Sequence, residues 1–292
     1  MEININYSFI IPHKNTPDLL QKCLDSIPRR DDVQIIVVDD NSDPDKVDFD
    51  HFPGLNDSTV EVYLTKEGRG AGYARNVGLS HAIGKWIVFA DADDFFNPCI
   101  SSFLDTHVDS SADIIVWKVN CIDLDTGKSG TRGSNINRYT QEAIDTGNYQ
   151  NILLISTPVK GMYSRQLIMN NGIRFNECRW GNDVVFSSMV AIHAKMVEAY
   201  DDVIYCISSH EMIGLKMYKS LESALVRFNQ EVQSIRLTRK VFPDNENIHF
   251  WFFSTWFSLF KMDKKKAIMN LPKAIAADRF HFIIQCYKAY FS

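Results

Sequence analysis

The stretch WIVFADADDFF (residues 86–96) runs a buried-looking strand directly into three carboxylates. Its first five side chains are apolar, and Asp91, Asp93 and Asp94 follow within four positions. Like charges this close repel each other, and each loses hydration where the site is partly enclosed. The stretch therefore predicts a positively charged ligand at the end of a buried strand, although acidic clusters are more often simply solvated loops.

Carboxylates on an abrupt strand end suit Mg²⁺ or Mn²⁺. Magnesium often takes only one or two protein carboxylates and completes its octahedron with phosphate oxygens and water. A diphosphate ligand would then neutralise the rest of the site.

Further strands and helices alternate around this stretch. Short apolar or β-branched runs predict strands at residues 7–12, 33–40, 60–64, 85–90 and 113–119. Thr16 and Pro17 predict a helix after the first strand, and a second helix is expected over residues 73–83. This spacing is typical of βαβ units in a largely parallel sheet with both faces covered.

Ligands of such sheets bind beyond the carboxyl ends of the strands. Pro12, the pair Asp39 and Asp40, and the cluster at residues 91–94 all fall at strand carboxyl ends. Three separate signals therefore predict one site at one edge of the sheet.

The remainder of the chain divides into two stretches. Residues 123–150 are polar and dotted with glycine, which predicts a loop or a hairpin. From about residue 210 the sequence becomes helical in pattern and basic, with 13 Lys and Arg against 7 Asp and Glu in residues 211–292. We expect an α/β domain over residues 1–210 and a helical appendage over residues 211–292.

The composition excludes several classes of protein. The 292 residues are 45% hydrophobic and 23% charged, which is typical of globular chains, and the net charge of −5 argues against a nucleic-acid partner. Six scattered cysteines without a C-x-x-C pair favour reduced thiols. There is neither a signal-peptide pattern nor an apolar run of about 18–20 residues, so we expect a cytoplasmic protein.

Five motifs, in order, resemble family-2 glycosyltransferases: SFIIPHKN, IIVVDDNS, GRGAGYARNVGL, WIVFADADDFF and RWGNDVVFS. The first four span residues 7–97 and the fifth spans residues 179–187, while the last third of the chain matches nothing in the family. The resemblance implies the GT-A fold, a Rossmann-like mixed, mainly parallel sheet flanked by helices that binds a nucleotide-sugar.

The resemblance also implies a role for each matching position. The nucleotide-sugar site would contain Pro12, His13, Asn15, Asp39, Asp40, Gly70, Arg75, Asp91 and Asp93. Asp40, with Asp39 beside it, would bind the base and ribose, and Arg75 would contact the diphosphate. Gly70 and Gly72 would let the backbone approach the nucleotide. The alternatives are an acidic turn for the two aspartates and a surface role for the arginine.

Some positions depart from the family's pattern or leave a choice between residues open. His13 stands where the family usually has Tyr. We expect its ring to stack on the base, but as a weaker contact than Tyr would make. Asp91 would contact ribose or the donor sugar, and Asp93 and Asp94 would hold the metal, with the choice of direct ligand left open. His210 falls where some GT-A enzymes place a metal-ligating histidine, but a structural histidine is favoured there.

Asp183 is the implied catalytic base. The sequence GND (residues 181–183) has Asn182 where the family usually has Glu, and an amide cannot take a proton. The proton acceptor is thereby narrowed to Asp183. The alternative is that Asp183 is a helix N-cap, since an apolar run follows it.

The aromatic stretch at residues 249–266 ends in Lys264, Lys265 and Lys266. It predicts a helix packed against the domain. The alternative is a peripheral segment at the inner face of a membrane, with the lysines facing anionic lipid.

The expected function is inverting, metal-dependent transfer of a sugar from a nucleotide-sugar, most often UDP-linked, to a hydroxyl of a saccharide or lipid-linked acceptor. Cell-surface polysaccharide or glycan synthesis is the expected setting. Two alternatives stay open, a sugar-nucleotide pyrophosphorylase and a non-catalytic nucleotide-sugar binding module.

Overall fold

One eight-stranded sheet organises the part of the chain that the computed structural model describes, residues 4–209 and 220–291. Its strands are β1 (Tyr7–His13), β2 (Val33–Asp40), β3 (Val60–Thr65), β4 (Trp86–Phe89), β5 (Phe95–Phe96), β6 (Ile114–Asp123), β7 (Gly161–Ser164) and β8 (Val197–Ser209). The five predicted strands are therefore confirmed, with ends that differ by a few residues.

The strand order is β3-β2-β1-β4-β7-β6-β8-β5. The four neighbouring strands β3, β2, β1 and β4 are parallel to one another. Strand β7 runs antiparallel between β4 and β6, and β8 lies parallel to β6. The carboxyl ends of β1, β2, β4 and β6 consequently share one edge of the sheet, and β7 begins at that edge. Every residue of β1, β2 and β4 is buried, because helices cover both faces.

Twelve helices lie in the described residues, besides a 3₁₀ turn at Pro158–Lys160: α1 (Pro17–Asp25), α2 (Ala71–His81), α3 (Ile100–His107), α4 (Ser134–Thr146), α5 (Gln150–Leu154), α6 (Arg165–Asn170), α7 (Asn182–His193), α8 (Leu221–Thr238), α9 (Glu246–Met262), α10 (Lys264–Met269), α11 (Leu271–Ala277) and α12 (Arg279–Phe291). The first two are the predicted helices. Within the described residues, none of these helices is long and apolar enough to cross a membrane.

Helix α4 corrects the prediction that residues 123–150 are a loop or a hairpin. Ile136, Tyr139, Thr140 and Ala143 are buried at helical spacing, and glycines in the left-handed conformation flank the helix at both ends. Because the other residues of α4 are mostly polar, the four buried positions do not stand out as an apolar pattern in the sequence.

The C-terminal region is helical, as predicted. Its buried aromatic side chains join the same cluster of buried residues as the sheet. The predicted division at residue 210, like His210 itself, lies outside the described residues, so two separate domains stay a prediction.

Candidate active site

Three carboxylates follow β4 at the carboxyl edge of the sheet, as the sequence predicted. Asp91, Asp93 and Asp94 each offer one oxygen, and these three oxygens lie within 4.8 Å of one another. Asp93 is exposed and Asp91 is partly exposed, whereas Asp94 is buried. The donor set is all oxygen and doubly or triply negative, which suits a hard divalent cation.

Asp94 is held by β8. Its Oδ1 accepts a hydrogen bond from the backbone N of Ser208 at 2.7 Å, while the hydroxyl of Tyr205 accepts one from the backbone N of Asp91 at 2.9 Å. Burial, together with the charges of Asp91 and Asp93, raises the pKa of Asp94 well above its usual value. A cation placed among the three carboxylates would relieve this electrostatic cost.

Asp39 and Asp40 end β2 but face opposite sides of it, because successive side chains of a strand alternate. Asp39 is turned inward: its Oδ1 lies 2.7 Å from Nδ1 of His13 and 2.5 Å from the hydroxyl of Ser42, and its Oδ2 accepts from the backbone N of Ser42. Burial acts to raise the pKa of Asp39, but these hydrogen bonds outweigh it and lower the pKa. Asp39 therefore braces the turn after β2.

Asp40 faces the glycine-rich loop. Its Oδ2 accepts from the backbone N of Gly70 at 2.8 Å and lies 3.5 Å from Nζ of Lys14. Among the described residues, no donor reaches the other oxygen, Oδ1, although it is buried. A buried carboxylate oxygen without a donor is costly, which makes it a candidate to bind a hydroxyl or N–H of a ligand.

His13 is almost fully buried, so its ring has no free face for stacking on a base. Its Nε2 accepts from the backbone N of Thr16 at 3.1 Å, which assigns the ring proton to Nδ1 and makes Nδ1 the donor to Asp39. The ring of Phe52 packs edge-to-face against the His13 ring, with 5.2 Å between the ring centroids. The other predicted residues of this strand end are close by: Pro12 is the buried neighbour of His13, and Asn15 accepts from the backbone of the loop after β2.

Arg75 connects two motifs that lie far apart in the sequence. Its guanidinium donates to Oδ1 of Asp91 at 2.5 Å and to Oδ1 of Asn182 at 3.0 Å. The side chain is buried, and no partner among the described residues reaches its Nε. The amide that replaces the family's usual Glu thus fixes Arg75 between the acidic cluster and the start of α7.

Asp183 lies in the first turn of α7, next to Asn182. The N-cap residue is Gly181, in the left-handed conformation, so the alternative that Asp183 is the N-cap is wrong. Burial raises the pKa of Asp183, while the charges of Arg75 and Arg227 oppose that shift. A carboxylate with a raised pKa is suited to accept a proton.

The two glycines of the third motif have different roles. Gly70 adopts φ 94 at the start of α2 and donates its backbone N–H to Asp40. Gly72 instead packs against the backbone of the segment before α7: a Cβ at this position would come within 2.2 Å of the backbone oxygen of Asn176. Its lack of a side chain lets α2 pack against the segment that leads to Asp183, which differs from the expected approach to the nucleotide.

Sequence reasoning missed Lys160 and Glu231, which lie near Asp183 and carry no motif. Lys160 precedes β7 at the same edge of the sheet and is fully buried, with its ammonium donating to the backbone oxygens of Leu153 and Ile155. Burial lowers the pKa of Lys160 to about 7, against the opposing charge of Asp183. A lone lysine between apolar residues could have signalled a buried cation, but nothing local indicated its neighbour.

A comparison of sequences identifies the family. The family described as Glycosyl transferase family 2 matches residues 8–172, more than half of the chain. The chain belongs to glycosyltransferase family 2. The resemblance of its motifs is thereby confirmed, and glycosyl transfer is the reaction class of the family.

Curated relatives are similar to part of the chain. A poly(ribitol-phosphate) beta-glucosyltransferase of Bacillus spizizenii is 24% identical over 68% of this chain and 31% of its own length. The uncharacterized glycosyltransferase YibD of Escherichia coli is 25% identical over 82% of this chain and 71% of its own length. The chain thus spans about a third of the first relative and most of the second.

Solved structures confirm the GT-A expectation for the fold. Staphylococcus aureus TarS residues 1–349, crystallised with UDP-GlcNAc, superposes with a TM-score of 0.67 at 20% identity, over 94% of this chain and 79% of that one. The mannosyltransferase PcManGT of Pyrobaculum calidifontis, in complex with GDP-Man and Mn²⁺, gives a TM-score of 0.52 at 18% identity, over 94% and 74% of the two chains.

Proposed function

We propose that this family-2 glycosyltransferase moves a sugar, with inversion, from a UDP-linked donor to a hydroxyl of a saccharide or lipid-linked acceptor in polysaccharide or glycan synthesis. The observation that carries the proposal is the bridge formed by Arg75. Its hydrogen bonds to Asp91 and Asn182 bring the carboxylates after β4 beside Asp183. The residues proposed for leaving-group stabilisation and for proton acceptance would therefore share one edge of the sheet.

The donor would bind along this edge. Asp40 would accept a hydrogen bond from the nucleoside through its buried, unpartnered Oδ1, and Arg75 would contact the diphosphate. A UDP-sugar is supported by the fold shared with TarS, whose crystal structure contains UDP-GlcNAc. We propose that Asp39 and His13 position the donor site without contacting the donor, since each is buried and hydrogen-bonded to the other.

Mg²⁺ or Mn²⁺ would be held by the carboxylates after β4, and the ion would stabilise the charge that develops on the departing diphosphate. We assign the direct contact to Asp93, the exposed member, and a supporting contact to Asp94, which the backbone of Ser208 holds. The complex of PcManGT with GDP-Man and Mn²⁺ supports the use of a divalent ion.

In the reaction, Asp183 would accept the proton of the acceptor hydroxyl as that oxygen attacks the anomeric carbon. The new glycosidic bond forms as the bond from the anomeric carbon to the diphosphate oxygen breaks, and the electron pair leaves with the nucleoside diphosphate. One displacement inverts the configuration. Arg75 would meet the charge on the leaving group, and general-base assistance contributes about 10²–10⁴-fold to such rates.

Donor binding is tested by thermal shift with UDP, GDP and ADP, each with Mn²⁺ and with EDTA. We expect UDP with Mn²⁺ to stabilise the fold by about 2.7 kcal/mol at 100-fold excess over its Kd, and EDTA to remove most of this gain. Equal stabilisation by the three nucleotides would contradict the uridine assignment. Absence of any stabilisation would contradict a nucleotide site altogether.

Transfer itself distinguishes the enzyme from a non-catalytic binding module. Release of UDP from a UDP-sugar, followed by phosphorus NMR, requires the chemistry that a binding module lacks. A pyrophosphorylase would instead release UTP when supplied with pyrophosphate. Binding without any release of nucleotide would favour the module.

Peripheral membrane contact stays a narrower proposal. Of the seven Phe and Trp side chains of α9, Phe252, Phe253 and Trp256 are buried and only Phe250 is exposed, which favours helix packing for this helix. Ile268 and Met269, however, are 58% and 65% exposed beside the exposed lysines at the start of α10. We propose that this corner of α10, and not the aromatic face of α9, meets anionic lipid at a cytoplasmic membrane face.

A further inference from the structure

A cavity of about 250 Å³ lies between α8, α9 and the end of α5. One face of α8 forms its wall from Arg227 to Thr238, a length of about 16 Å at the rise of an α-helix. Trp251 and Thr255 of α9 form the opposite wall, and Ile155 closes one side. Neither the five sequence motifs nor the proposed donor site accounts for this cavity.

One end of the cavity lies beside the proposed base. A Cβ at Gly181, two residues before Asp183, would lie 3.7 Å from Cγ of Arg227 and 3.5 Å from Cγ of Gln230. Burial raises the pKa of Asp183 and of Glu231, and the charge of Arg227 opposes both shifts, so the three groups are electrostatic neighbours. A molecule in the cavity would therefore extend towards the reacting centre.

Glu231 is the notable side chain of the cavity wall. None of the hydrogen bonds among the described residues ends on its carboxylate, and burial raises its pKa to about 7. Glu231 is partly exposed to the cavity, so a ligand there can supply the donors that the protein does not. The missing partners are O–H or N–H groups.

Two hydroxyl oxygens of the cavity wall can also accept hydrogen bonds from a ligand. The hydroxyl of Thr238 donates to the backbone oxygen of Ser234, and that of Thr255 donates to the backbone oxygen of Trp251. Each hydroxyl has thereby used its proton, and its lone pairs remain to accept. The cavity thus offers acceptors on two walls, together with the apolar ring of Trp251.

We propose that this cavity is the acceptor subsite and that it binds one neutral, polyhydroxylated unit, a sugar or a polyol, with Glu231 accepting from its hydroxyls. The inference rests on the proposed glycosyl transfer and adds the chemical class of the unit recognised. A carbohydrate carries many hydroxyl donors and an apolar C–H face, which match the oxygens and the indole of the walls. The volume fits one such unit, and the opposite charges of Arg227 and Glu231 in the same wall match a neutral one.

The test is saturation-transfer NMR on the full chain with millimolar ribitol, glucose, galactose and N-acetylglucosamine, in the presence and absence of UDP and Mn²⁺. We expect signals from at least one of the four probes, and a loss of affinity of about tenfold or more in Glu231→Ala. Thr255→Phe, which fills the cavity, should abolish the same signals. Glu222→Ala, an exposed carboxylate in the first turn of α8, is the matched control and should bind as wild type does.

UDP affinity, measured on the same samples, keeps this inference separate from the proposed function. Equal signals in wild type, Glu231→Ala and Thr255→Phe would overturn the subsite, as would the absence of all signals from protein that still binds UDP. If UDP itself failed to bind, the donor site would be wrong, and cavity signals that depended on Glu231 would still support a carbohydrate subsite. A melting curve for each variant confirms that it is folded.

Discussion

Different interactions hold the carboxyl edge of β1, β2 and β4 and the helical region after residue 220. At the sheet edge, charged and polar groups bond to one another, as in the pair of His13 and Asp39 and the bridge from Arg75 to Asp91. In the helical region, aromatic rings make the core: Phe252 stacks on Phe228 at 6.0 Å.

This difference separates function from stability. At the sheet edge Oδ1 of Asp40 lacks a donor among the described residues, and burial raises the pKa of Asp94 and of Asp183; such groups cost stability and suit a ligand. The rings of Phe228 in α8, Phe252 in α9 and Phe282 in α12 pack against one another, so their contribution is packing. We therefore expect substitutions in the first region to impair chemistry with little unfolding, and substitutions of the packed rings in the second to unfold the chain without a specific effect on binding.

The largest expected effect is the loss of transfer in Asp183→Asn. The amide keeps the shape of the side chain but cannot accept a proton, so single-turnover transfer should fall about 10²-fold or more. UDP affinity and the melting temperature should change little, because the proposed base would contact the acceptor and because Gly181 is the N-cap. Asp202→Asn, an exposed carboxylate on β8, is the control. Transfer at nearly the wild-type rate would place the base elsewhere.

The same residue predicts the direction of the pH dependence. Asp183 must be ionised to accept a proton, and burial raises its pKa. The rate of transfer should therefore rise with pH through this raised pKa, and should be lost at a higher pH than an ordinary aspartate would allow. A pH–rate profile that stays flat down to the usual range of aspartate would remove Asp183 from this role.

The next effect is on stability, in the helical region. Phe252 is almost fully buried between Phe228 and Phe282, so Phe252→Ala should lower the free energy of unfolding by about 3–5 kcal/mol. Phe250→Ala removes a ring from the same helix that is 53% exposed, and should cost less than about 0.5 kcal/mol. Urea unfolding measures both, and similar losses in the two variants would contradict the helical packing.

A smaller effect is expected at the metal carboxylates. Asp93→Asn should weaken binding of UDP in the presence of Mn²⁺ by about tenfold or more, and Asp94→Asn should weaken it less because that residue acts from a supporting position. Calorimetric titration with and without EDTA measures both, with Asp109→Asn as an exposed control. If EDTA left UDP affinity unchanged in wild type and variants, the cluster would not be a metal site.

The smallest effect concerns the lysines that begin α10. Each lysine near an anionic surface contributes about 1 kcal/mol, so each substitution to alanine should reduce binding to phosphatidylserine vesicles about fivefold at low salt. Added salt should reduce wild-type binding in the same direction. Co-sedimentation checks this, and Lys240→Ala, exposed near the end of α8, is the control. No binding at low salt would leave α10 as ordinary helix packing.

Much of the fold could be predicted from local patterns. Continuous apolar runs gave the strands, because a strand covered on both faces needs no polar alternation. Helix α4 escaped prediction because only four of its 13 residues are buried. The roles of Asp39 and Asp40 could not be separated either, since the turn after β2, with Ser42, decides which of the two is satisfied within the chain.

The sequence by itself determined the family, the alternation of strands and helices, and the edge of the sheet at which its acidic motifs meet. Those features follow from short-range periodicity and from the rule that parallel strands present their carboxyl ends together. Only the tertiary structure decided that Arg75 reaches Asn182 across 107 positions, and that Lys160 and Glu231 lie near Asp183. Such pairings depend on the order of strands and on how α7 and α8 pack, and no local pattern of residues encodes the distance between them.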